Sequence, residues 1–313
     1  MPVWAELVVL GSGGSMPSKY RGAPAVLVRD WLGNSMLLDA GEPVQVTMQR
    51  LGYSIQSLDL VAVTHNHGDH VNGLPGLLQS MYVNDRTRPL TIVAPSTVIG
   101  FVQDVLEATE TRLGFRIDTV DAVPPGGLAF SWKPGGDRVE IRWFKTCHTR
   151  DSVGYRVNWL LRPRIDKGKL ERLGLRMGPW IRELLARGEA VVDGRRVTLD
   201  MVAGRPRAMS IAYTGDTAPC RSVIEAVRGV DVLVHDSTYA GDREREALER
   251  GHSTSQHAAM VAEAAGARVL VLAHISQRYR GLESRRLLQE ARRIHFRTVM
   301  AWDGLRIRVS RPR

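Results

Sequence analysis

The chain has 313 residues, 43% hydrophobic and 24% charged, and its 43 basic against 33 acidic side chains give a net charge of +10. This is the composition of a globular protein with one large or two small domains, and the positive balance favours an anionic partner. With only Cys147 and Cys220, no secretion signal in MPVWAELVVLGSGG and no long apolar run, a disulfide framework, a thiolate metal site and a membrane helix are excluded. The two cysteines read as reduced, buried thiols of a cytoplasmic protein.

Apolar runs bounded by Gly, Asn and Asp predict strands at Glu6–Leu10, Ala25–Val28, Met36–Asp39 and Leu60–Thr64. Beyond His70, the spacing of Leu74, Leu77, Leu78 and Met81 fits one face of a helix. A strand at Leu90–Ala94, a helix at Thr97–Glu107 opened by Pro95-Ser96, and a strand at Val139–Phe144 leading to His148 complete the first half. The second half repeats the theme. It has strands at Ser210–Tyr213, Val230–Val234, Val269–Ala273 and Thr298–Trp302, and helices at Arg221–Val227, Thr254–Ala265 and Glu283–Arg293. Such halves predict an α/β fold with two sheets packed together and helices outside.

The segment Tyr155–Arg207 between the halves carries 13 basic and 6 acidic residues and one short predicted helix, Trp180–Ala186. It reads as a projecting basic insertion. Ser276–Arg313 adds 11 basic and 3 acidic residues, so the remainder of the chain is net negative and the positive charge is localised. Localised charge is the footprint expected of a nucleic-acid partner.

The strongest chemical signal is Thr64-His65-Asn66-His67-Gly68-Asp69-His70, between a predicted strand and a predicted helix. Imidazole nitrogens and carboxylate oxygens suit zinc and similar divalent ions. In an extended segment His65 and His67 project to one side, while Asp69 and His70 can turn toward a second ion. His148, Asp216 in Tyr213-Thr214-Gly215-Asp216-Thr217, and His274 each fall where a strand meets a loop. Gly11-Ser12-Gly13-Gly14 reads as a tight turn rather than a dinucleotide loop, since neither a helix nor a suitably spaced acidic residue follows. His257 and His295 read as structural.

An HxHxDH run followed by a His, an Asp in a GDT turn and a final His resembles the metallo-β-lactamase superfamily. The resemblance implies an αββα sandwich in which His65, His67 and His148 hold one metal, Asp69, His70 and His274 hold another, and Asp216 bridges them. The ions would be zinc, with manganese or iron left open, sharing a hydroxide nucleophile. No Cys stands at the bridging position, which argues against the β-lactamase branch itself.

Further motifs resemble the ribonuclease Z family. They are His274-Ile275-Ser276-Gln277-Arg278-Tyr279, Gly251-His252-Ser253-Thr254, Ala301-Trp302-Asp303-Gly304, and Pro17-Ser18-Lys19-Tyr20-Arg21-Gly22 with Gly22 in place of the family's Asn. The likeness implies an endoribonuclease that removes the 3′ trailer of precursor tRNA, acting in the cytoplasm as a homodimer. His252 would protonate the leaving oxygen. Asp236 would be its acidic partner, one methylene shorter than the Glu of the family's His-Glu-Ala-Thr motif. Asp69 would also accept a proton. Lys19 and Arg21 would neutralise phosphates, Ser276 and Arg278 would contact substrate, Thr217 would orient ligands, and Gly178 and Pro179 would lie in a tRNA-binding arm spanning 155–207. Two other readings compete: a hydrolase of small phosphodiesters, sulfate esters or thioesters with the same fold, and a non-catalytic RNA-binding protein.

Overall fold

Two seven-stranded sheets carry the fold. The structure, a computed structural model, describes residues 3–132, 137–204 and 207–311. In the first sheet the order across is Arg306–Arg311, Val3–Gly11, Ala25–Asp30, Ser35–Leu38, Leu60–Ala62, Leu90–Ala94 and Ile117–Asp121. The Val3–Gly11 and Arg306–Arg311 strands pair antiparallel, with Val3 opposite Arg311. From Ser35–Leu38 onward the pairing is parallel.

The second sheet runs Thr298–Met300, Val269–Ala273, Val232–Asp236, Arg207–Tyr213, Val153–Leu161, Arg138–Lys145 and Gly126–Trp132. Its first four strands are parallel. Parallel strands covered on both faces need side chains that tolerate burial on either side. LVA at Leu60–Ala62 is wholly buried, and so is VLVHD at Val232–Asp236.

Helices Val44–Arg50, Gly73–Val83 and Ser96–Ala108 pack their apolar stripes on the first sheet. Arg221–Ala226, Ser255–Ala265 and Leu282–Arg292 do so on the second. The alanines of Ser255–Ala265 let that helix lie close to its sheet. Between the layers the fully buried Tyr155 hydroxyl lies 2.7 Å from the Val63 carbonyl and 2.9 Å from that of Val93. Its single proton is thus satisfied by the opposite sheet. The expected αββα sandwich is the observed one.

Four strands of the two large sheets escape a sequence reading based on apolar runs, and one of them, Gly126–Trp132, ends the second sheet. Ile117–Asp121 and Arg306–Arg311 lie at sheet edges, and both are largely polar and partly exposed. Val153–Leu161 alternates, with buried Val153, Tyr155 and Val157 facing inward.

By its contacts the chain divides into two units, residues 1–131, 140–158 and 209–313 in one, and 132–139 and 159–208 in the other. Residues 155–158, assigned from charge to the insertion, belong to the first unit because their hydrophobic alternation continues the Val153–Leu161 strand. The second unit has its own small core of Leu170, Leu175, Leu184, Ala190, Val197 and Val202. Helices Lys167–Arg172 and Trp180–Arg187 and the hairpin Glu189–Val192/Arg195–Thr198 build it. Among the described residues no helix is long and apolar enough to cross a membrane.

Candidate metal centre

The parallel strands end at one edge of the first unit, and their C-terminal ends carry the polar residues. Leu60–Ala62 leads into Thr64–His70, Arg207–Tyr213 into Asp216, Val232–Asp236 into Thr238, and Val269–Ala273 into His274. Crevices beyond the carboxyl ends of parallel strands are the usual ligand sites of α/β folds. His274 follows its strand with φ of 56°, a left-handed conformation uncommon outside glycine that turns the ring back over the strand ends.

His65, His67, His148 and Asp216 offer ligand atoms within 4.8 Å of one another, and so do Asp69, His70 and His274. Asp216 faces both groups. Its Oδ2 lies 3.7 Å from Nε2 of His65 and of His148, and its Oδ1 lies 3.2 Å from Nε2 of His70 and of His274. His67 presents Nδ1 instead, 3.1 Å from His148 Nε2.

The four contacts of Asp216 are close without being well-formed hydrogen bonds. Nε2 of His65, Nε2 of His70 and Oδ1 of Asp216 are buried and have no hydrogen-bond partner. Buried polar atoms left unpaired are costly, and here they converge on common points, an arrangement that suits a divalent cation. The donor set therefore fits a divalent metal.

The opposite ring nitrogens are each held. Nδ1 of His65 meets Thr64 Oγ1 at 2.9 Å, Nδ1 of His70 meets Asp39 Oδ2 at 2.6 Å, Nδ1 of His148 meets the Gly251 carbonyl at 2.9 Å, and Nδ1 of His274 meets Thr238 Oγ1 at 2.7 Å. Such partners fix the tautomer and aim Nε2. Asp39 is the busiest of them. Its carboxylate also accepts from the Thr64 N–H, Thr64 Oγ1 and the Tyr213 hydroxyl. The reading of Asp39 as the last residue of a strand missed this role, although an acidic residue at a strand end was a signal of the same kind as Asp216.

Electrostatics agree with the geometry. Burial tends to raise the Asp69 carboxyl, but the hydrogen bond to His274 and the neighbouring His70 hold it well below the ordinary carboxylate range. The Ser15 N–H donates to the same carboxylate at 2.7 Å. Burial, together with the neighbouring His70, pushes His65 well down, favouring the neutral imidazole that a cation requires. Burial also works against a charged His70, yet Asp216 and Asp39 on its two sides raise it well above the usual value.

A second pair stands beside this cluster. His252 Nδ1 lies 2.8 Å from Asp236 Oδ2, and its ring centroid lies 4.8 Å from that of His148 and 5.2 Å from that of His274. Burial lowers the His252 imidazole, but the charge of Asp236 and the hydrogen bond to it outweigh burial and raise it to about 9. Ser253 donates to the Thr217 carbonyl, and Thr254 caps the helix that follows.

The remaining expectations divide. Lys19 is exposed and lies over the Tyr20 ring, whereas Arg21 turns inward and donates to Ser12 Oγ and the Ala301 carbonyl. Asp303 accepts from the Ser12 and Gly22 N–H groups, so the 301–304 motif ties two loops together. Arg278 is paired with Glu246 at 3.3 Å. Thr217 donates its N–H to Asp236 and accepts from that of Cys147. Gly178 and Pro179 lie in the second unit, where Pro179 opens the Trp180–Arg187 helix. His257 and His295 are held by Glu244 and by the Ala267 carbonyl.

Gly13-Gly14 is not a tight turn. It is a short strand pairing with Ile275–Ser276, and a Cβ on Gly14 would come within 2.5 Å of the His274 ring. Glycine here lets the backbone brace that ring.

The cysteines also differ from expectation. Cys147 and Cys220 are half-buried and form a disulfide. The Ala218 N–H donates to the Cys147 carbonyl, which brings the two loops together over 73 residues of sequence. Sequence counting could not see that proximity.

This sandwich, with a cation-binding His/Asp cluster at its strand ends, defines a metal-dependent hydrolase of the metallo-β-lactamase class. Residues 194–275 match the family described as "Beta-lactamase superfamily domain", and residues 5–160 that described as "Anti-Pycsar protein Apyc1". The chain is 49% identical over 306 residues to Ribonuclease Z of Aeropyrum pernix, covering 97% of this chain and 98% of that one. It is 37% identical to Ribonuclease Z of Halobacterium salinarum, covering 98% of each. The crystal structure of human tRNase Z, short form, superposes with a TM-score of 0.68 at 24% identity, covering 96% of this chain and 98% of that one. The chain belongs to the ribonuclease Z family.

Proposed function

We propose that this chain is a zinc-dependent endoribonuclease that removes the 3′ trailer of precursor tRNA by phosphodiester hydrolysis. The observation that carries the reading is Asp216, whose two carboxylate oxygens face two separate sets of ligands in a chain of this family. His65, His67 and His148 would hold one ion, Asp69, His70 and His274 the other, and Asp216 would bridge them. Such ions, when bound, would supply an acidified water and screen the scissile phosphate.

The protein's own groups do the rest. His252, held by Asp236, donates a proton to the 3′ leaving oxygen. Asp69 would hold metal and could also take a proton from the attacking water. Lys19 is free to meet a phosphate, while Arg21 shapes the loop that presents it. Ser276 and Arg278 line the approach from the other side.

The second unit, with Gly178 and Pro179, is the tRNA-gripping arm of the proposal. Its excess of basic residues supports that role. The working form is a cytoplasmic homodimer. The purified enzyme should cut a precursor tRNA once, at the end of the acceptor stem, far more efficiently than it hydrolyses bis(p-nitrophenyl) phosphate. Equal efficiency on both would favour the small-phosphodiesterase reading instead.

A further inference from the structure

A cavity of about 670 Å³ lies beside the metal centre, and a second of about 430 Å³ shares Gln277 and Arg280 with it as lining. The first cavity reaches the centre through residues hydrogen-bonded to its ligands. It is lined by Ser15, whose N–H donates to Asp69, and by Thr238, whose hydroxyl holds His274. Arg250, Arg278 and Arg280 also line it. Glu246 pairs with Arg250 and Arg278, and Glu283 lies on the same wall, which leaves one net positive charge along the passage.

The second cavity has a different character. Tyr20, Tyr279 and Trp302 line it, with Gln277, Arg280 and Ser284 between them. Trp302 is 55% exposed and Tyr20 62%, the latter with Lys19 over one side of its ring, and neither ring belongs to the core. Tyr279 is fixed, since its hydroxyl accepts from the Ala240 N–H at 2.9 Å. The Arg280 side chain donates to the Gln277 carbonyl and has no acidic partner among the described residues. Aromatic walls with amide, hydroxyl and guanidinium groups between them match a planar base with polar edges. A volume of this size is typical of a small-molecule site.

We propose that this second cavity receives one unpaired nucleobase of the RNA, from a nucleotide flanking the scissile phosphate. The backbone then follows the arginine-lined passage into the metal centre. This rests on the ribonuclease reading above and adds to it a subsite that grips a base by stacking. The stacking would fall chiefly on Trp302 and Tyr20. Because every base has a π face, the subsite demands an unpaired nucleotide more than a particular sequence.

The test uses the metal-loaded enzyme and a set of precursor tRNAs with one abasic residue at each position within a few nucleotides of the cut. One position should lower kcat/KM by about 5- to 150-fold, the range for loss of one stacked base, mainly through KM. Trp302→Ala should show a similar loss on the intact precursor and no further loss on that abasic substrate. Trp302→Phe, which keeps a ring, should recover most of the activity. Uniform rates across the abasic set, or losses that multiply in the variant, would overturn the subsite while leaving the ribonuclease reading intact. Failure of the unmodified enzyme to cut any precursor would overturn both.

Discussion

Asp236 Oδ2 lies 2.8 Å from His252 Nδ1, while its other oxygen accepts the Thr238 hydroxyl that in turn meets His274. The Asp236 side chain is one methylene shorter than glutamate, yet it spans the gap because the Val232–Asp236 strand delivers its backbone to the edge of the centre. A proton donor must carry its proton, so cleavage that depends on His252 falls as pH rises through the folded value. Asp236 raises that value to about 9. Asp236→Asn removes the charge responsible, and the alkaline limb of the kcat profile should move to lower pH. Bound cations pull the value down in both proteins, which makes the difference between them the readout. His252→Ala should lose roughly 10²–10⁴ in rate with metal content unchanged. An unmoved limb in Asp236→Asn would mean that another group supplies the proton.

Asp39 orients His70 from the side opposite the centre. Its own φ of 57° is a conformation that asparagine tolerates, so Asp39→Asn changes the charge with little backbone strain. Metal affinity should fall roughly 10- to 100-fold, as is typical when a ligand's orienting partner is lost. Titration with a competing chelator measures this, and an unchanged affinity would reduce Asp39 to a packing residue.

The Cys147–Cys220 bond ties the loop before His148 to the loop after Asp216. Removing a bond that closes so long a loop costs roughly 2–5 kcal/mol. Cys147→Ser with Cys220→Ser should therefore melt at lower temperature than the oxidised protein. Reductant should bring the native chain to the same Tm and leave the variant unmoved. Equal melting of both proteins without reductant would show that the cysteines stay as thiols in solution.

The arm is best removed where the chain closes on itself. Excising about Arg164 to Val192 would strip away Leu170, Leu175, Leu184 and Ala190 and leave Val197 and Val202 without their core. The Gly204 N–H donates to the Arg164 carbonyl at 2.8 Å, so a short linker replacing residues 165–203 spans adjacent points. That variant should keep its hydrolysis of bis(p-nitrophenyl) phosphate and lose precursor tRNA cleavage through KM. It should also show a shallower dependence of RNA affinity on salt. Equal losses on both substrates would make the segment part of the catalytic unit's stability instead.

The buried parallel strands and the amphipathic helices were legible because burial writes itself as apolar runs and periodic stripes. His65 to His70 were legible because four ligand-type residues seldom crowd one short loop without cause. What the sequence hides is held by backbone or by distance. Gly14 braces His274 through the absence of a side chain, the Gly251 carbonyl aims His148, and Cys147 meets Cys220 across 73 residues. The edge strands Ile117–Asp121 and Arg306–Arg311 are set by pairing register rather than by composition. The charge of 155–207 revealed an inserted unit but blurred its start, since Tyr155 and Val157 belong to a sheet strand whose hydrophobic alternation matters more than its arginine.

Asp216 is proposed to hold two ions together for phosphodiester cleavage. Metal content and single-turnover cleavage of one precursor tRNA, measured on the native chain and on Asp216→Ala from the same preparation, test it most directly. The native chain should hold two divalent ions and make a single 3′ cut. The variant should remain folded by circular dichroism, hold less metal and leave the precursor intact. An Asp216→Ala protein with undiminished metal and native cleavage would contradict it.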